Sequence, residues 1–147
     1  MTREEVTQLV LASRHRKKFK WSQLAEFIGK SKEWTTAALL GQMTLSAEQA
    51  AKLGARLELP PEAVELLQVM PYKGSLPTTV PTDPLVYRFY EVTAVFGTTI
   101  KELIHEEFGD GIMSAIDFSL DIAREPDPKG DRVRVVMSGK FLPYKMF

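Results

Sequence analysis

The sequence predicts an α+β protein in two parts: a bundle of five short helices over residues 1–75, then two helices and a β-hairpin over residues 76–147. Three observations predict it. Helix-capping signatures and well-placed glycines punctuate residues 1–70. A proline-rich segment follows at 71–84. After Gly111 the apolar period switches from helical to alternating.

Taken in order, Thr2 with Glu5 spells a capping box, in which each side chain satisfies the other's free backbone N–H. Val6, Leu9, Val10 and Ser13 then recur at helical spacing. Trp21 to Ile28 reads as a second helix closed by Gly29, and Ser31 caps a third, Lys32 to Leu40, stopped by Gly41. Ser46 with Gln49 is another capping box and opens a helix through Leu57. Pro60-Pro61 opens the fifth, because proline at the first helical position sacrifices no hydrogen bond, and Pro71 ends it. Short helices with a tight turn at Gly29 between the second and third resemble repressor-type helix-turn-helix domains.

The segment PYKGSLPTTVPTDP over 71–84 holds four prolines and a glycine, and reads as a linker or strapping arm. Asp83-Pro84 starts a sixth helix that runs to Phe96 and stops at Gly97. Thr99 with Glu102 opens a seventh, ending at Phe108-Gly109. Ile116, Phe118, Leu120 and Ile122 then alternate with polar residues, as do Val133, Val135 and Met137 after turn residues 126–131. A two-stranded hairpin is not stable alone, so it must pack on the preceding helices or on a second chain. Oligomerisation is a reasonable way for so small a unit to complete its core.

Composition narrows the function. The 147 residues are 44% hydrophobic and 26% charged, as in ordinary globular proteins. With no cysteine, disulfides, thiolate nucleophiles and Cys-based metal sites are excluded. His15 and His105 are the only histidines, so one chain cannot supply a three-histidine metal site. No apolar run approaches the roughly 20 residues needed to span a bilayer. Glu4 and Glu5 precede the first apolar patch and the basic run follows it, the reverse of a secretory signal, so a cytoplasmic protein is expected. The net charge is zero, but residues 1–80 carry 11 basic and 8 acidic side chains while residues 81–147 carry 8 and 11. The imbalance suggests regions with different partners and is too mild to imply nucleic acid.

The candidate chemistry lies in the second part. Arg88 and Glu91 sit one helical turn apart among Tyr87, Phe89 and Tyr90, an aromatic density beyond what a solvent face needs. An arginine in such a desolvated or interfacial position is an anion fork, because its planar donors match carboxylate-like oxygens. Gly109 and Gly111 let the backbone approach another group closely, and Ser114 follows as a hydroxyl positioned by their turn, just before the strand. A triad drawn from Ser114, His105 and Glu102 lacks a nucleophile-elbow pattern. His15 lies in the basic run Arg14–Lys20, where cations complement a helix C-terminus. That run could contact phosphates. The third helix, however, opens with one lysine and a repelling Glu33, a poor DNA reader.

Specific resemblance adds to this reading. Pro81–Glu91, Val95–Thr99 and His105–Ile116, with Thr35–Gln42 upstream and Gly139–Pro143 downstream, closely resemble the cyanases, also called cyanate hydratases or cyanate lyases. The resemblance covers most of the chain and is loosest in the first twenty residues and the hairpin turn. It implies conversion of cyanate and bicarbonate to carbon dioxide and carbamate, which falls apart to ammonia and carbon dioxide, with bicarbonate as co-substrate and no metal or organic cofactor. It places the family's catalytic arginine, glutamate and serine on Arg88, Glu91 and Ser114. It also implies a homodecamer of five dimers and an interlocked C-terminal dimerisation domain; the poor reading helix leaves no nucleic-acid partner expected, and the short apolar runs no membrane. In that chemistry Arg88 neutralises two small anions, while Ser114 and adjacent backbone N–H groups bind the dianionic adduct. Glu91 either orients Arg88 or relays a proton. The alternative is a DNA-binding or regulatory protein that keeps the same fold.

Overall fold

Capping chemistry sets the helices of the first unit. In the computed structural model, which describes residues 1–74 and 76–147, the Glu5 amide donates to Thr2 Oγ1 at 3.2 Å and the Thr2 amide to Glu5 Oε2 at 2.6 Å. This box opens α1 (Arg3–Lys17). After it come α2 (Trp21–Ile28), α3 (Lys32–Leu39), α4 (Ala47–Leu57) and α5 (Pro61–Leu66). Ser31 and Ser46 cap α3 and α4 through hydrogen bonds from the amides of Trp34 and Gln49. An extra backward bond, unforeseen in the sequence, runs from the Lys20 amide to Gln23 Oε1 at 2.9 Å and fixes the start of α2.

The chain divides into two units, Met1–Ser75 and Leu76–Phe147. Ser75, at the end of the first predicted part, lies outside the described residues. In the first unit Val6, Val10, Leu24, Leu39, Leu53, Leu57 and Leu67 form one core with Ala38, Ala50 and Ala63. Burying each leucine contributes about 1.5–3 kcal/mol before entropy is counted. Ser13 donates its hydroxyl to the Leu57 carbonyl and so ties α1 to the end of α4. The first residues of the predicted linker strap this unit: Lys73 Nζ reaches the Gln42 carbonyl at 2.5 Å, and the Gly74 amide reaches Gln42 Oε1 at 2.8 Å.

The second unit departs from expectation first in its helices. Its two predicted helices are one, α6 (Pro84–Phe108), 25 residues long. Asp83 Oδ1 accepts from the amides of Leu85 and Val86, both at 2.9 Å, and Pro84 occupies the first turn as predicted. Gly97 does not end the helix, because a mid-helix glycine costs only about 1 kcal/mol relative to alanine and the apolar stripe continues through Ile100 and Leu103. The end comes at Gly109, whose φ of 86° few other residues adopt.

Two long antiparallel strands follow, β1 (Gly111–Glu125) and β2 (Arg132–Pro143). Phe118, Leu120 and Ile122 face Gly139, Met137 and Val135 in register, which gives the hairpin one apolar face. Ile116 does not belong to that alternation. It stands in a bulge, 98% exposed. No helix among the described residues is long and apolar enough to cross a membrane.

Candidate active site

The helix periodicity that puts residues three apart on one flank brings Arg88 and Glu91 together. Arg88 Nη1 donates to Glu91 Oε2 at 2.9 Å. The guanidinium also lies 5.8 Å from the centre of the Tyr87 ring, which in turn packs against Tyr90 at 5.6 Å. Of the desolvated or interfacial position expected, desolvation is not met within one chain: the two side chains are 62% and 51% exposed. The reason is that α6 buries no side chain in its own unit. One guanidinium N–H is engaged by Glu91, and the remaining donors of the planar fork are open to an anion.

Ser114 sits in β1 itself, not in front of it. Met113 pairs with Phe141 and Phe118 with Gly139, so residues 114–117 stand opposite Lys140 alone and bulge out of the ladder. The serine side chain holds this bulge. Its Oγ accepts from the amides of Ile116 at 3.0 Å and Asp117 at 2.9 Å, and the residue is only 6% exposed. A hydroxyl has two acceptor lone pairs and one proton. With both lone pairs engaged by N–H groups, the Ser114 hydroxyl keeps only its proton to donate and is a poor nucleophile. The same two amides are thereby withdrawn from the adduct-binding role expected of the backbone next to Ser114.

The other candidates separate cleanly. His105 accepts from Lys101 Nζ at Nδ1 and donates from Nε2 to the Gly111 carbonyl, each at 3.3 Å, so its partners are not those of a catalytic triad. A cavity of about 370 Å³ beside it is lined by Lys101, His105, Asp110 and Tyr144 among others, and by none of Arg88, Glu91 and Ser114. A second, of about 410 Å³, opens in the first unit beside Arg3 and Gln42. Gly111 meets the close-approach expectation, since a β-carbon there would overlap the Leu142 carbonyl oxygen; Gly109 serves conformation, with nothing within 4 Å of such a carbon. Among the described residues no group of three or more His, Asp or Glu side chains could hold a metal ion. At the start of α3, Lys32 Nζ is paired with Glu33 at 2.8 Å.

No hydrogen bond or ion pair among the described residues joins Ser114 to Arg88 or Glu91. The helix thus carries the Arg88–Glu91 pair and the bulge carries the Ser114 hydroxyl. Comparison with known proteins is consistent across the whole length. The family model described as cyanate hydratase, N-terminal, matches residues 3–71, and that described as cyanate lyase C-terminal domain matches residues 78–146. Relatives named cyanate hydratase from Thiobacillus denitrificans and Ralstonia pickettii are 74% and 71% identical over 147 residues, covering all of this chain and all of each relative. The crystal structure of cyanase from T. urticae superposes with a TM-score of 0.82 at 34% identity, over 94% of this chain and 96% of that one. The chain belongs to the cyanate hydratase family, the cyanases.

Proposed function

We propose that this protein is a cyanate hydratase, a carbon–nitrogen lyase that joins cyanate to bicarbonate and releases carbon dioxide and carbamate. The first conversion takes up one proton, and carbamate takes up another as it breaks into ammonia and carbon dioxide. The observation that carries this reading is full-length membership of the family, at 74% identity to a relative of that name.

The residues fit the chemistry. Two anions must meet, so charge neutralisation and positioning are the main demands. Arg88 supplies the fork that binds them. The Ser114 hydroxyl donates a hydrogen bond to the dianionic adduct and keeps its proton. Glu91 holds the guanidinium through the 2.9 Å bond and sets its orientation. Bicarbonate is a co-substrate, and no metal or organic cofactor takes part. The uncovered α6, with no link between Arg88 and Ser114 within a chain, supports a reading in which the sites lie between subunits; the family resemblance makes the assembly a homodecamer built from five dimers. The enzyme works in the cytoplasm, a location that a cysteine-free chain suits, without nucleic-acid or membrane partners.

The test is ammonia release from cyanate with and without added bicarbonate. The native protein is expected to release ammonia only with bicarbonate. Arg88→Ala should lose at least about 100-fold in rate, while Glu91→Gln should retain most activity if Glu91 orients and does not relay a proton. No release from folded, assembled protein would leave a cyanase fold without the activity, and gel retention on DNA would then decide the regulatory alternative.

A further inference from the structure

The bulge that carries Ser114 is held from a second side. Strand β2 rounds it at Gly139, which pairs with Phe118 on the far side of the bulge. Gly139 does not have the positive φ that favours glycine, so conformation does not require it there. Space does. A β-carbon at 139 would overlap the Ser114 carbonyl oxygen, lie 2.6 Å from Met113 Cγ and lie 3.3 Å from the Ser114 carbonyl carbon. The methionine could swing aside. The carbonyl is backbone, and moving it moves the Cα from which the Ser114 hydroxyl projects.

We infer that Gly139 is a positioning residue for Ser114: its missing side chain lets β2 close on the backbone of residue 114 and locks the bulge in the form whose Ile116 and Asp117 amides hold the hydroxyl oxygen. The inference rests on the assignment of Ser114 to the cyanate site. A glycine inside a strand marks a close backbone approach, and here the group approached is the one that carries the proposed adduct donor. A misplacement of about 1 Å at such a donor costs on the order of 100-fold in rate.

The test is a double-mutant cycle with an independent structural readout, made on the full chain. Gly139→Ala should lower kcat/KM about 10-fold or more, mainly through kcat, in the native background. In a Ser114→Ala background the same change should cost less than about 2-fold, because the donor it misplaces is already gone. Hydrogen exchange of the Ile116 and Asp117 amides, which bond to Ser114 Oγ, should quicken about 10-fold in Gly139→Ala. It should stay unchanged in Gly130→Ala, which strains the distant hairpin turn instead. Equal losses in both backgrounds, or unchanged exchange in a folded Gly139→Ala protein, would overturn the inference. If the native protein released no ammonia, the functional reading would fail while the exchange measurement still judged the link between Gly139 and Ser114. If Gly139→Ala did not fold, a crystal structure of the unaltered protein would decide: Gly139 Cα beyond van der Waals contact of the Ser114 carbonyl would sink the idea.

Discussion

In the N-terminal unit Val6, Val10, Leu24, Leu39, Leu53 and Leu57 are each at most 1% exposed, whereas α6 of the C-terminal unit carries Leu85, Phe89, Val92, Phe96, Ile100 and Leu103 and buries none of them. Both regions are written with helical apolar periodicity. The difference lies in what meets the stripe. Five short helices with tight turns fold back on one another, so each stripe finds neighbouring helices within the same unit. One 25-residue helix and a hairpin cannot wrap each other. Apolar area on this scale is rare on a lone soluble chain and marks a surface for association. The lesson is that periodicity tells which face is to be covered and not by which molecule.

That contrast can be broken at either end. The largest effect is expected from Phe96→Asp, which puts a charge on the α6 stripe away from Arg88 and Glu91. Light scattering should show the native particle falling several-fold in mass, and ammonia release should drop more than about 10-fold as the proposed sites between subunits come apart. Circular dichroism should still report the helices of the N-terminal unit. An unchanged mass with full activity would mean that the α6 stripe is not an interface, and the contrast would collapse. Leu53→Ala is the opposite case. It removes a fully buried side chain from a self-contained core and should lower stability by about 2–5 kcal/mol. Calorimetry would read the lower melting temperature, while the particle mass below it should stay as it was.

Much of this was legible because local chemistry decided it. Thr2 with Glu5, Ser46 with Gln49 and Asp83 with Pro84 each name a helix start, and the structure uses all three. Gly97 misled, since a glycine breaks a helix only where the chain gains by turning, and here a continuous stripe runs across it. The Ser114 bulge was also out of reach. Alternation extends equally well through Ile116, and only pairing with β2 reveals that residues 114–117 have a single partner opposite. Gly139 was the available signal, a glycine in an otherwise good strand. For Arg88 and Glu91, spacing alone gave the pair, and their roles came from the family resemblance.

The smallest expected effect concerns how the self-contained unit ends its helices. Glu58 closes α4 in the left-handed conformation, with φ of 52°, and its carboxylate meets Lys17 Nζ at 2.6 Å and Arg16 Nη2 at 3.2 Å. The hydrogen bond from Lys17, then the charges of Lys17 and Arg16, hold its carboxyl below the ordinary carboxylate range. A carboxylate more acidic in the folded than in the unfolded chain stabilises the fold above the unfolded value, and that contribution disappears as pH falls through the lower, folded one. Glu58→Gln should therefore lower the melting temperature slightly at neutral pH. The gap from the native protein should close as pH drops through the carboxylate range, and salt should narrow it at neutral pH because the pair is exposed. The left-handed backbone adds nothing to this gap, because glutamine is no better placed there than glutamate, so a gap that persisted in acid would sink the ion-pair account. Comparing Glu58→Gly with Glu58→Gln separates the two: glycine relieves the backbone and loses the ion pair, so a pair-dominated site makes the variants alike and a backbone-dominated site makes glycine the more stable.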